Sequence, residues 1–296
     1  VRERLSTPLL KCNLENGLID DAMQYAPHAK LELDSLQRIV ELKGDINARL
    51  ISFVYGEWAT ETLLHKTAVS GDETVAYLIA QRADVNAKLE SDLPEPMIIK
   101  SMAAWVHGST ALHTACWHGN LAAVKHLLKG GADVNMPTKG LANAFFFTAR
   151  PHEHHMEIIE TLLSYSGDMK ARDAREMTLL HVTSSNMNEQ LTKFLLDRGF
   201  SVHDVDEDGA TPLHVSSNWG TTVNVPLLAA ARADLNAKRH VDGATPIHRA
   251  ARSGHYAIVK QLLELRADTG IRDHSGHTAL EVAEQHGRLD MFDCLK

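Results

Sequence analysis

Small and apolar residues fall along the chain in short paired runs. The first run of a pair follows a threonine, carries small residues such as Ala115 or Ala250-Ala251 near its end, and then meets a glycine. The second run has apolar residues at i, i+3, i+4 spacing, as in Val124, Leu127 and Leu128 or Ile258, Val259, Leu262 and Leu263. That spacing is the stripe of a helix with one buried face. Each pair therefore predicts a narrow first helix, a glycine break and an amphipathic second helix. Neither helix can bury its face alone, so stability is expected from stacking pair on pair.

The threonines set the period. Thr211-Pro212-Leu213-His214 and Thr245-Pro246-Ile247-His248 stand 34 residues apart. Looser copies are Thr62-Leu63-Leu64-His65, Thr110-Ala111-Leu112-His113, Thr178-Leu179-Leu180-His181 and Thr278-Ala279-Leu280-Glu281. The gap of 68 between Thr110 and Thr178 is two periods, so a hidden copy is expected near 144, where Ala144-Phe145-Phe146-Phe147 keeps the bulk and loses the signature. Thr before Pro reads as an N-cap followed by proline at the first helical position, where a missing N–H costs nothing. Ala83-Asp84-Val85-Asn86, Ala132-Asp133-Val134-Asn135 and Ala233-Asp234-Leu235-Asn236 close their pairs in phase, and a glycine recurs nine residues after the threonine at Gly71, Gly119, Gly220, Gly254 and Gly287.

These landmarks together resemble the ankyrin repeat over roughly residues 35 to 296. The resemblance implies an all-α solenoid of helix-turn-helix units with projecting β-turn fingers. It also implies that His65, His113, His181, His214 and His248 bond loop backbone and tie neighbouring repeats. Residues 1–47 are expected to form an atypical N-terminal capping repeat. Residues 48–296 should form one continuous array, with repeats starting near 62, 110, 144, 178, 211, 245 and 278 and an enlarged loop at 87–109.

Composition narrows the function. The 30 basic and 38 acidic residues give a net charge of -8, which argues against a protein that binds nucleic acid by neutralising phosphates. Apolar stretches such as Val225 to Ala231 are too short to span a membrane. Cys12, Cys116 and Cys294 are widely separated and form no C-x-x-C pair, so an intracellular, reducing, cytoplasmic setting is expected. Val1 in place of methionine points to a piece of a longer chain. Phosphate-loop, dinucleotide-loop and nucleophile-elbow motifs are absent from the sequence, and no cofactor is expected.

Departures from the repeat are the candidate site, because conforming residues are accounted for by packing. The loop from Asn47 to Thr62 is long and carries Phe53, Tyr55 and Trp58, and the 87–109 insertion carries Trp105. Trp117 and Trp219 occupy the end of their first helices, so all four tryptophans are expected to border a concave face. Such aromatic anchors dominate binding energies. The expected partner-binding set is Trp58, Trp105, Trp117, Asn218, Trp219, Lys238, Arg239, Arg249 and Arg252, taking a protein or peptide in the groove. Two other readings stay open. One is an enzyme or metalloprotein with a small-molecule pocket, whose metal candidates are His118, His152, His154 and His155. The other is a cis-regulatory domain of a longer protein.

Overall fold

The computed structural model describes residues 33–41, 45–54, 57–69, 72–90, 107–288 and 291–295. Expectations for residues 1–32, and for most of the 87–109 insertion including Trp105, lie outside those residues. The chain divides into two compact units, Val1–Thr148 with His152–Met169, and Ala149–Pro151 with Lys170–Lys296.

The first unit begins with helix α1 (Leu33–Glu41) and an antiparallel hairpin, β1 (Arg49–Val54) and β2 (Glu57–Thr62), with Arg49 opposite Thr62 and Val54 opposite Glu57. The long Asn47–Thr62 connection is thus a two-stranded ribbon, the one strand pair among the described residues of a helical fold. Helices α2 (Leu63–Thr67), α3 (Asp72–Ala80), α4 (Ala111–His118), α5 (Leu121–Lys129), α6 (Ala144–Phe147) and α7 (His155–Ser164) follow. Helix α6, at the position where a hidden copy is expected, is four residues long. Asn143 replaces threonine as its N-cap and accepts the Phe145 N–H at 3.2 Å.

The second unit holds α8 (Leu179–Ser184), α9 (Glu189–Asp197), α10 (Pro212–Trp219), α11 (Asn224–Ala230), α12 (Pro246–Ser253), α13 (Tyr256–Glu264), α14 (Ala279–Gln285) and α15 (Phe292–Leu295). Its threonines are N-caps with extended backbone, as at Thr211 (φ -84°, ψ 166°), and Pro212 and Pro246 open their helices. Leu213, Leu228, Ile247, Val259 and Leu262 are fully buried and form the stripe that the spacing predicts.

The signature histidine makes the repeat cohere. In His214, Nδ1 accepts the Thr211 N–H at 3.1 Å and lies 2.9 Å from Thr211 Oγ1, while Nε2 donates to Ala244 O at 3.1 Å. His65, His181 and His248 repeat this on Ser109, Ala210 and His277 carbonyls at 3.0, 3.0 and 3.1 Å. One ring thus caps its own helix and bonds the start of the next repeat. At the finger bases a parallel ladder runs through asparagine. Asn47 Oδ1 accepts from Asp84 N, Asn86 from Asp133, Asn135 from Asp168 and Asn236 from Asp268, at 2.7 to 2.9 Å.

Asn224 is a buried polar node that periodicity does not reveal. Its amide donates to Thr183 O at 3.0 Å and Asn186 O at 2.7 Å, and its carbonyl accepts the Thr192 hydroxyl at 3.0 Å. Asn224→Ala strands these groups away from water, and each unmet buried partner costs about 1–3 kcal/mol. Urea unfolding of the variant should read a loss of about 3 kcal/mol. A loss below about 1 kcal/mol would show that the node adds nothing beyond solvation.

Candidate functional site

The C-terminal end of α10 carries Asn218 and Trp219, and two local devices hold it in place. Gly220 ends the helix at φ +73°, a left-handed conformation that favours glycine, and a Cβ there would stand 2.7 Å from His255 Nδ1. His255 lies over that glycine and donates from Nε2 to Asn218 O at 3.0 Å. From α12, Arg249 reaches Asn218 Oδ1 with Nη2 at 2.6 Å, and Ser253 Oγ joins at 3.3 Å. The side chain of Asn218 is thus fixed from the neighbouring repeat, and Trp219 beside it is 58% exposed.

Asn218, Trp219 and Arg249 border a concavity of about 180 Å³ within the second unit. His214 and Val215 line it from α10, Arg249 from α12, and Asp206, Asp208 and Arg239 from the fingers. Arg239 bridges two fingers, pairing with Asp208 at 2.8 Å and Asp242 at 3.0 Å, with 10% of its side chain exposed. Burial draws the His214 imidazole down to about 4, and its bond to Ala244 only partly opposes this. At neutral pH the ring is therefore an uncharged part of the wall, with Nε2–H as its tautomer.

Of the nine expected contacts, the structure brings Asn218, Trp219, Arg239 and Arg249 to this one concavity. Arg239 differs from expectation. It is buried in ion pairs instead of standing out from a finger, because Asp208 and Asp242 come from successive repeats. Lys238 is exposed, but its ammonium donates to Arg272 O at 3.0 Å, one rung of a finger ladder. Arg252 is exposed on α12. Trp58 lies in β2 opposite Phe53. Trp117, in the first unit, is half-buried and packs edge-on against Phe147 with centroids 6.3 Å apart. Sequence reading passed over Met177, Asp206 and Asp208 as wall residues. The signal for Asp208 was its distance of 31 residues from Arg239, near one repeat length.

The histidine candidates do not converge. His118 Nδ1 donates to Thr114 O at 2.9 Å, His154 meets Glu157 at 3.4 Å, and His155 Nδ1 donates to His152 O at 2.5 Å. The His152 ring covers Gly119, where a Cβ would come within 2.6 Å of its Nδ1. It is the counterpart of His255 over Gly220. Among the described residues no group of three His, Cys, Asp or Glu side chains could hold a metal ion. His118 ends α4, while His154 is the N-cap of α7 and His155 its first residue, so the rings lack the i, i+4 spacing on one helix. Among the same residues no helix is long and apolar enough to cross a membrane.

Stacked helix pairs with capped threonine-histidine starts, glycine breaks and asparagine-laddered fingers define a repeat protein of the helical class. The family model for ankyrin repeats (3 copies) matches residues 25–138, 145–239 and 221–296, and the chain belongs to that family. The ankyrin repeat and SAM domain-containing protein 6 of Rattus norvegicus is 32% identical over 135 residues, covering 45% of this chain and 13% of that protein. The putative ankyrin repeat protein FPV223 of fowlpox virus is 29% identical over 113 residues, 38% of this chain and 77% of that protein. The human ASB11 ankyrin repeat domain is similar in fold, with a TM-score of 0.61 and 22% identity, covering 76% of this chain and 96% of that one. The chain spans only 13% and 18% of the first curated relatives it matches.

Proposed function

We propose that the chain is a protein-interaction module, as ankyrin repeats generally are, and that it takes a partner peptide at the Trp219 concavity. The observation that carries this reading is the 58% exposed indole of Trp219, standing beside polar groups already fixed by Asn218, Arg249 and His255. An exposed large aromatic on a rigid frame gives a partner a large contact area with little ordering entropy to lose. The concavity, at about 180 Å³, is smaller than the roughly 300–1,000 Å³ of drug-sized ligand pockets, which favours a side chain of a peptide over a free small molecule. An intracellular, reducing location suits the buried free thiol of Cys116.

The test is selection of a displayed random-peptide library on the full chain. Peptides that bind should lose about 2 kcal/mol, about thirtyfold in Kd, on Trp219→Ala. Absence of any peptide whose binding depends on Trp219 would overturn this site.

A further inference from the structure

Three arginines line the concavity, and they differ in how fully their charge is met. Arg175 pairs with Glu207 at 3.4 Å, at the finger side. Arg239 spends both terminal nitrogens on Asp208 and Asp242, yet its Nε is buried without a hydrogen-bond partner. Arg249 is the least compensated. Its one hydrogen bond goes to the neutral amide of Asn218, and Asp242, already held by Arg239, is 4.0 Å away. Burial makes its guanidinium harder to keep charged than usual, and the positive charges of Arg239 and Arg252 add to this against Asp242 and Asp208.

The acids on the wall relieve this only in part. Asp206 turns Oδ1 onto the N–H groups of Asp208 and Ala210, at 3.0 and 2.8 Å, and so caps its own turn. Asp208 is engaged by Arg239. The helix end of the concavity therefore presents Arg249, hydrogen-bonded to a neutral amide and only distantly ion-paired, beside an exposed indole. A planar guanidinium is shaped for a carboxylate, which it can hold through two parallel bonds, and the 4.0 Å pair with Asp242 is longer than such bonds.

We infer that the partner presents a carboxylate to Arg249, next to an apolar residue that covers Trp219. The occupant is thus an acidic peptide, in which a glutamate, aspartate or C-terminal carboxylate completes the half-paired guanidinium. This inference rests on the groove reading proposed above, and the two fail differently.

The probe is a peptide selected on the full wild-type chain in the Trp219-dependent way just described, compared with the same peptide carrying amides in place of its acidic side chains and C-terminus. Acidic residues should be enriched beside an apolar one, and the amide peptide should bind wild type about tenfold more weakly. Against Arg249→Gln the acid and amide peptides should bind alike, while Arg249→Lys should retain part of the preference. Trp219-dependent peptides that are neutral or basic, or a Kd unchanged by amidation, would overturn the carboxylate and leave the groove standing. Basic enrichment in particular would make Asp206 and Asp208 the recognising groups. Finding no Trp219-dependent peptide would overturn both.

Discussion

Lowering the pH from 7 to 5 should destabilise the protein well before its carboxylates titrate. His65 and His214 are held near 4 and His113 near 3, first by burial. For His65 and His214 the geometry gives the same sign, because Nδ1 must stay unprotonated to accept the threonine N–H. An unfolded histidine titrates near 6.5, so between about 6.5 and 4 the unfolded chain binds a proton that the folded chain refuses. The stability associated with the neutral ring is fully present above about pH 6.5 and is lost as pH falls toward 4. The linkage relation gives about 2 kcal/mol per ring by pH 5. Urea unfolding at pH 7, 6 and 5 should follow that slope, and His214→Ala, though less stable at pH 7, should show a shallower one. A flat unfolding free energy across this range would mean the rings accept protons in place.

Phe145→Ala should be the most damaging single substitution in the degenerate repeat. Phe145 is fully buried in α6, and its ring lies so close to Gly167 that a Cβ there would stand 2.6 Å from Cε2. This repeat has no signature histidine, and aromatic bulk replaces the missing tie. Phe147 packs on the His113 ring, with centroids 4.8 Å apart. Truncating a buried phenylalanine costs about 3–5 kcal/mol, with the cavity term included. The first unit should lose that much in denaturant. A loss near 1 kcal/mol would mean that the neighbouring side chains collapse into the space.

The repeat was legible because each landmark answers a local demand of backbone geometry. Threonine with histidine three residues on closes a helix start, glycine ends the helix at positive φ, and Asp-x-Asn folds a turn whose asparagine bonds the next finger. Such demands recur with every copy and so survive in one sequence. The site was legible only in part, because exposure and pairing are settled between repeats. Trp219 and Trp117 stand in nearly the same slot, yet the phenylalanine run of the next repeat gives Trp117 the Phe147 ring to pack on. Arg239 resembled a free finger cation until Asp208 and Asp242 closed on it. The histidine run suggested a metal, but its rings turn to different partners. His155 meets a carbonyl, His154 a glutamate and His152 a glycine cleft. The ribbon at Arg49–Thr62 shows the same limit, since a long connection with aromatic residues reads equally well as an irregular finger.

The central claim is that recognition is anchored at the second unit's concavity, and an anisotropy titration of one selected, labelled peptide tests it. Trp219→Ala should raise Kd by about thirtyfold with folded stability within about 0.5 kcal/mol of wild type, since the indole is largely exposed. Trp117→Ala should leave Kd as it was. Equal affinity of wild type and Trp219→Ala for every selected peptide would contradict the account.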